Sequence, residues 1–151
     1  MSKPINQSLY FEDFTIGSRF HSYSRTITEA DIVNFCCLVG YHTPLFIDEE
    51  YAKKTKFGKR IAPGSLTASY STASIEGIFR DTIVAHLENR KAIFLLPVAA
   101  GDTITTHVEV VEKVDSDKPF GKVVFRDTVT NQDDSVVYTI EKVTLVSKKA
   151  V

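Results

Sequence analysis

Four segments in the second half of the chain alternate apolar and polar residues, which is the pattern of a strand with one buried face. They are residues 91–98, 103–114, 121–130 and 136–146. Short groups of turn-forming Gly, Asp, Asn and Ser residues separate them. A similar alternation over residues 20–27 predicts one further strand near the N-terminus. We therefore expect a sheet built largely from consecutive antiparallel strands.

Helical spacing of apolar residues replaces this alternation in the first half of the chain. Thr28 and Asp31 resemble a capping box, with Asp in the place of the usual Glu, and predict the start of a helix. Its apolar stripe stops at Gly40, a residue type that commonly ends helices. Pro44 is then expected to interrupt regular structure, and residues 48–54 to form one or two exposed helical turns.

A longer helix is predicted to begin at Gly64 and to continue through residues 67–79. Many of its residues are Ser or Ala, and small side chains let a neighbouring element pack closely. We expect a sheet wrapped around this helix, while His86 is placed in a loop that follows it. A central helix followed by consecutive strands is typical of an α+β fold and not of a doubly wound sheet.

Length and charge exclude several classes of protein. The 151 residues suit one domain, 1–151, which is long enough to bury a core without crosslinks. With 43% hydrophobic and 25% charged residues, the composition is that of an ordinary globular protein. Eighteen Lys and Arg against nineteen Asp and Glu leave a net charge of −1. This balance provides no broad field to favour nucleic acid or an anionic membrane as a partner.

The cysteine content and the N-terminus favour a reducing compartment. Cys36 and Cys37 are adjacent, so a disulfide between them would be strained, and two cysteines make no zinc site. We interpret them as small apolar residues of a protein that needs no disulfide. Residues 1–14 lack the apolar core of a signal peptide, and no apolar run is long enough to span a bilayer. A cytoplasmic location is expected.

Three blocks of sequence together carry a family resemblance. Residues 35–48 (FCCLVGYHTPLFID) look like the hydratase motif of the MaoC-like dehydratases, which include the (R)-specific enoyl-CoA hydratases. Residues 61–66 (IAPGSL) resemble the start of that family's central helix. Residues 94–98, with Gly101 and Asp102 after them, are similar to the family's strand and turn beyond the helix. The blocks occur in the family's order and cover most of the chain.

This resemblance implies a hotdog fold, in which a curved antiparallel sheet wraps a long central helix, and a homodimer or dimer of dimers. It also implies an acyl-CoA thioester as substrate and partner, with water added to or removed from its double bond. No metal or other cofactor is expected, since coenzyme A is part of the substrate. Backbone N–H groups at the start of the central helix would polarise the thioester carbonyl, because the first N–H groups of a helix lack intrahelical partners.

Compared with the family motif, the chain keeps residues that determine the shape of the backbone and lacks the acid–base pair. Tyr41 corresponds to the family's catalytic aspartate, and Phe46 corresponds to its catalytic histidine. Thr43 stands for an asparagine, Pro63 for a histidine before the helix, and Thr72 for a pocket serine. The retained motif residues are Gly40, Pro44, Leu45, Asp48 and Gly64. The resemblance therefore assigns substrate binding to Thr43, Phe46, Pro63, Gly64, Ser65 and Thr72.

Two residues remain as catalytic candidates. Tyr41 could donate a hydrogen bond to a carbonyl or hydroxyl group, or it could simply form a wall of the pocket. His42 has the imidazole that suits acid–base chemistry at neutral pH, although we favour a solvent-facing or packing role for it. Phe46 cannot take a proton, and a phenol is a weak base at neutral pH.

Three functions are open at this point. The first is an acyl-CoA hydratase or dehydratase with an altered active site, and the second is an acyl-CoA-binding domain or partner subunit without catalysis. The third is thioester hydrolysis, for which Glu76 is the one acid on the predicted helix. A basic group before Gly64 could attract coenzyme A phosphates or could be a solvated face. Its members are Lys53, Lys54, Lys56, Lys59 and Arg60.

Overall fold

A seven-stranded sheet frames the protein in a computed structural model that describes residues 3–4 and 8–150. The strands are β1 (Lys3–Pro4), β2 (Arg19–His21), β3 (Arg25–Thr26), β4 (Ile83–Phe94), β5 (Thr103–Val114), β6 (Phe120–Thr130) and β7 (Val136–Ser147). Their order is β1-β2-β5-β6-β7-β4, and β3 pairs separately with β5. All pairs are antiparallel except β1 with β2. The predicted ends of the domain, 1 and 151, and the N-terminal stretch 1–2 and 5–7 lie outside the described residues.

Four α-helices within the described part of the chain accompany the sheet. They are α1 (Glu29–Val39), α2 (Pro44–Ile47), α3 (Glu49–Ala52) and α4 (Gly64–Ser74), with 3-10 turns at Phe11–Asp13 and Glu76–Ile78. α4 lies against one face of the sheet, where Ser71 contacts β6 and Ser74 contacts β5. The α+β class and the central helix are thereby confirmed. No helix among the described residues has both the length and the apolar character needed to cross a membrane.

The capping predicted for α1 is confirmed. Thr28 Oγ1 accepts a hydrogen bond from the Asp31 N–H at 3.1 Å, and Asp31 Oδ2 accepts one from the Thr28 N–H at 2.8 Å. Gly40 ends the helix with φ of 74°, a left-handed conformation that favours glycine. The Asp48 cap of the short α3 is also present, since its carboxylate accepts from the Tyr51 N–H at 2.9 Å.

Asp31 also ties α1 to α4. The Tyr70 hydroxyl of α4 donates to Asp31 Oδ1 at 2.7 Å, and Arg25 Nη2 donates to the same oxygen at 3.0 Å. Burial alone would raise the pKa of Asp31, but the donors from Thr28, Tyr70 and Arg25 outweigh it and lower that pKa to about 2. The carboxylate therefore joins the start of α1 to Tyr70 of α4 and to Arg25 of β3.

Two apolar clusters form the core, and buried polar residues lie between them. The first contains Phe11, Phe14, Phe20, Ile75, Ile78, Phe79, Val108, Val110, Val123, Phe125 and Val146. The second contains Ile27, Ile32, Cys36, Ala62, Leu66, Val98, Ile104, Val129, Val137, Tyr138 and Ile140. Each element that bridges the clusters carries a buried polar residue at the boundary: Ser71 on α4, Thr106 on β5, Asp127 on β6 and Lys142 on β7.

β4 differs most from the sequence prediction. The strand predicted at 91–98 begins at Ile83 and ends at Phe94, and His86 lies inside it and not in a loop. β4 is an edge strand with most residues exposed on both faces, so residues 83–90 show none of the alternation that one-sided burial produces. The strands predicted at 103–114, 121–130 and 136–146 each have a buried face, and they are confirmed within one residue.

Three smaller expectations were wrong. The strand predicted at 20–27 is divided into β2 and β3. Between these two strands the Ser22 N–H donates to the Thr106 carbonyl, but the Thr106 N–H donates to the Ser22 hydroxyl and not to a backbone carbonyl, so the regular pairing is interrupted. Pro44 begins α2 and does not interrupt regular structure, since the first position of a helix tolerates proline. The central helix stops at Ser74, and its continuation to residue 79 is replaced by a 3-10 turn.

Candidate functional site

One wall of the candidate site is the start of α4. Pro63 precedes the helix, and the first helical N–H groups, at Gly64 and Ser65, lie where intrahelical acceptors are lacking. The Ala62 N–H donates to the Val98 carbonyl at 2.7 Å, which holds the helix start against the segment that follows β4. A Cβ atom at Gly64 would lie 2.9 Å from Cε1 of Phe94, so the close approach of this ring requires glycine.

The opposite wall is the aromatic segment after α1. The left-handed Gly40 turns the chain so that the Tyr41 ring lies 5.8 Å from the Phe46 ring and 6.3 Å from the Phe35 ring, measured between centroids. The Ser65 hydroxyl donates to the Tyr41 hydroxyl at 3.2 Å. This contact joins the two walls through the polar pair closest to the helix start.

A cleft of about 820 Å³ separates these walls. Its lining is mostly apolar, with a few polar groups around the helix start. The residues are Tyr41, Leu45, Phe46, Lys56, Phe57, Ile61, Ala62, Pro63, Gly64, Ser65, Thr67, Ala68, Phe94, Leu95, Leu96, Pro97, Val98 and Val137. A concave, largely apolar site with a small number of convergent polar groups is typical of a small-molecule site.

The structure divides the site residues that the sequence predicts. Tyr41, Phe46, Pro63, Gly64 and Ser65 all line the cleft. Three others, His42, Thr43 and Thr72, lie outside its lining.

Each of these three has a different setting. His42 is exposed and borders a second cavity of about 300 Å³ with Cys37 and Arg60. Thr43 is exposed and precedes α2 as its N-cap residue. Thr72 is exposed on α4, and its hydroxyl donates to the Ala68 carbonyl of its own helix at 3.0 Å. The expected packing or solvent-facing role of His42 fits this position better than a role in the cleft.

The basic group before Gly64 also divides. Lys56 lines the cleft, whereas the Arg60 guanidinium is 2.6 Å from Glu29 and 3.0 Å from Glu49. These partners raise the pKa of Arg60 and hold its charge away from the cleft. Lys53 makes an exposed ion pair with Glu50 at 2.7 Å. Lys56 is therefore the member of this group with a place at the cleft.

Sequence reasoning missed much of the apolar wall. The sequence does not point to Phe57, and it predicts 94–98 as part of a strand, whereas both belong to the lining of the cleft. Phe94 stacks on Tyr138 with 4.6 Å between ring centroids, which places this pair behind the helix start. Two adjacent leucines after an edge strand, Leu95 and Leu96, were the available signal, because such residues need an apolar contact that the sheet itself does not provide.

Comparisons with known proteins agree with this geometry. Residues 13–133 match the family described as MaoC like domain. The (R)-specific enoyl-CoA hydratase of Rhodospirillum rubrum is 38% identical over 121 residues, which are 80% of this chain and 81% of that protein. Protein MaoC of Klebsiella aerogenes is 34% identical over 108 residues, and these span 69% of this chain but 31% of that protein.

A solved structure establishes the fold. A Mycobacterium tuberculosis protein described as having a double hotdog fold superimposes with a TM-score of 0.86 at 22% identity. The match covers 94% of this chain and 45% of that one. The sheet and central helix described above are therefore a hotdog fold. With a matching family model over most of its length and relatives above 30% identity, the chain belongs to the MaoC-like domain family.

Proposed function

We propose that the protein adds water to, or removes it from, the double bond of an acyl thioester, using an active site that differs from the family motif. The observation that supports this most directly is the cleft, which combines an apolar wall with the N–H groups at the start of α4. The R. rubrum relative is named as an enoyl-CoA hydratase, which gives the same reaction class.

The start of α4 would hold the thioester carbonyl. Hydration places the water oxygen on the β carbon and a proton on the α carbon, and negative charge develops on the carbonyl oxygen between these steps. N–H groups at Gly64 and Ser65 can donate to that oxygen, and the helix dipole favours negative charge at the same place. Glycine at position 64, which the Phe94 ring already requires, adds no side chain between its N–H group and that oxygen.

Tyr41 and Ser65 would position the water. The resemblance places Tyr41 and Phe46 where the family has its aspartate and histidine, and a phenyl ring cannot transfer protons. The hydroxyl of Tyr41, on the wall opposite the helix start, is joined to the hydroxyl of Ser65 in the first turn of α4. In the proposed reaction they hold the adding or leaving water, and no metal or other cofactor takes part, since coenzyme A belongs to the substrate.

The test is hydration of trans-2-enoyl-CoA esters, followed by loss of the enoyl absorbance. We expect turnover by the wild-type protein and a fall of roughly a hundredfold in kcat for Tyr41→Phe, in the range of removing one positioned proton-transfer or oxyanion group. His42→Ala is the matched control, because it changes the next residue but lies outside the cleft lining. Absence of turnover with every chain length would overturn the proposal.

A second candidate is acyl-CoA binding without catalysis, by a partner subunit or an independent domain. Phe46, which the motif resemblance aligns with the family's histidine, is the feature that supports it, because a phenyl ring lines the cleft there. This function predicts a higher melting temperature with enoyl-CoA, by linkage, but no change in enoyl absorbance at high protein concentration. Lys56→Ala should reduce that stabilisation if the lysine contacts coenzyme A phosphates, while Lys53→Ala, which breaks a surface pair away from the cleft, should not.

We also propose that two copies associate through β4, as a homodimer or a dimer of dimers. β4 is the edge of the sheet and exposes Leu87, Ile93 and Phe94, each more than half accessible. A long apolar edge strand invites pairing with another strand. Sedimentation should give twice the chain mass for a homodimer or four times for a dimer of dimers, and Leu87→Lys should shift it toward the monomer. A wild-type monomer at micromolar concentration would contradict the proposal.

The adjacent cysteines, both free, suit a cytoplasmic location.

A further inference from the structure

A buried ion pair lies in the interior between α4 and the sheet. Asp127 on β6 is fully buried, Lys142 on β7 is 4% exposed, and the ammonium of Lys142 donates to Asp127 Oδ2. The Ser71 hydroxyl of α4 donates to the same oxygen at 3.4 Å. Asp127 Oδ1 is buried and has no hydrogen-bond partner among the described residues. Nothing in the proposed reaction uses these groups.

The helix and the strands that form the wall of the cleft also carry the residues around the buried pair. Thr67 lines the cleft, and Ser71 follows it by one turn on the same buried side of α4, about 6 Å further along the axis. On the sheet, Tyr138 stacks on Phe94 of the cleft wall and is opposite Val129. Asp127 is two residues further along the same face of β6. Both walls therefore lead from the cleft to Asp127.

The charge of Asp127 would limit the length of the apolar chain that the cleft can bind. An apolar chain that extended past Thr67 and Tyr138 would press against a carboxylate that already lacks one partner. Because Asp127 is fully buried, such a chain would first have to displace the side chains that cover the carboxylate, and it would then lie against a charge without giving a hydrogen bond in return, which is unfavourable. An apolar residue in place of the buried pair would instead continue the second apolar cluster toward the first and give a longer chain a favourable surface.

We propose that Asp127 and Lys142 determine acyl-chain specificity by closing the inner end of the cleft to long apolar chains. The preferred substrates are thioesters of short acyl groups, whose chains end before Thr67. This inference rests on the proposed function, because it concerns the acyl group bound in the same cleft.

The first experiment needs no variant. The wild-type protein is given trans-2-enoyl-CoA esters of four, six, eight, ten and twelve carbons, and kcat/KM is measured for each. We expect a fall of roughly tenfold or more between the shortest and the longest chain, as for a pocket that rejects added methylenes. Equal or rising kcat/KM with length would overturn the specificity proposal and leave the proposed function intact. If no ester is turned over and no ester raises the melting temperature, both the specificity proposal and the proposed function are overturned.

The second experiment exchanges the pair. The double variant Asp127→Leu with Lys142→Met removes both charges together, since a buried pair replaced by apolar residues often folds as well as before. We expect the ratio of kcat/KM for twelve carbons to that for four to rise by roughly tenfold. An unchanged ratio in a folded variant, with folding checked by circular dichroism, would overturn the proposal.

The matched control is the double variant Arg126→Met with Glu141→Leu. It breaks an ion pair of 3.0 Å between the same two strands, at the neighbouring positions on the opposite face of the sheet. Its chain-length ratio should stay at the wild-type value. A shift of the same size in the control would show that any loosening of β6 and β7 changes the ratio, which would equally overturn the assignment to the buried pair.

Discussion

Two aspartates bind consecutive residues of α4 and have opposite environments. Tyr70 donates to Asp31, and Ser71 donates to Asp127. Asp31 accepts hydrogen bonds from backbone, hydroxyl and guanidinium donors, and its pKa falls to about 2. Asp127 is buried more deeply, and one of its oxygens has no partner in the part of the chain that the structure describes. Burial raises its pKa above the ordinary value even though Lys142 and Ser71 oppose the shift.

Donors, and not proximity to a cation alone, decide whether a carboxylate stabilises the fold. Asp31 has four donors, one of which is the Arg25 guanidinium, so its charged form is favoured in the folded state. Asp127 has a lysine beside it and is still penalised for its charge. A carboxylate of the first kind supports structure, and one of the second kind is retained at a cost that calls for a functional reason, such as the specificity proposed above.

The largest effect is expected when Asp127 loses its partner. Lys142→Met leaves an unpaired buried charge, and we expect the free energy of unfolding to fall by about 3–5 kcal/mol. Urea denaturation measures it, with the Asp127→Leu and Lys142→Met double variant as the control that should recover most of the loss. A single variant as stable as the wild type would show that Lys142 does not compensate the carboxylate.

Removal of Asp31 comes next. Asp31→Ala deletes the α1 cap and the contact with Tyr70, and the lowered pKa corresponds to about 2 kcal/mol of unfolding free energy at neutral pH. Urea denaturation at pH 7 should show this loss, and Asp48→Ala, which uncaps only the short α3, should lose less. Equal losses would mean that the tie to α4 contributes nothing beyond the cap.

A fall in pH should change the contributions of the two aspartates to the free energy of unfolding in opposite directions. The folded pKa of Asp31 is below its ordinary value of 3.8, so its stabilisation is complete above that value and is lost as the pH falls toward 2. The folded pKa of Asp127 is raised, so protonation of this group favours the folded state as the pH falls. In denaturation at stepped pH, Asp31→Ala should therefore lose less stability than the wild type between pH 5 and pH 2. Parallel curves for the two proteins would contradict the assignment.

The smallest effect is expected at the surface. Lys53→Ala breaks an ion pair whose side chains are more than half exposed, where solvent screens the attraction. No change in melting temperature beyond experimental error should follow, with Glu50→Ala as the companion variant. A clear destabilisation by either would show that exposed charges here act through more than the pair.

The sequence predicts the elements whose contacts are local or whose strands bury one face, and it does not predict an element that lacks both. The Thr28–Asp31 cap is readable because its partners are three residues apart, and β5, β6 and β7 are readable because each buries one face. β4 is not readable, since an edge strand exposed on both faces has no reason to alternate.

For the candidate site, the motif places Tyr41, Phe46 and Gly64 at the cleft, because a short segment with fixed turns carries its own geometry. It does not place Thr72, whose side of α4 depends on how the helix packs. The alternation in β6 does indicate that Asp127 is buried, since Phe125 and Val129 share its face. The sequence does not show its partners, because Lys142 and Ser71 contact it only in the folded chain.

The neighbouring cysteines of α1 have a practical consequence. Cys36 is buried, and burial raises the pKa of its thiol, whereas Cys37 is exposed and borders the second cavity next to Tyr41. Thiol reagents require an accessible thiolate, so Cys37 should react first. A single fluorophore attached there would sit beside the ring that also forms the wall of the cleft. The natural sequence thus supplies its own labelling position for following ligand binding by fluorescence.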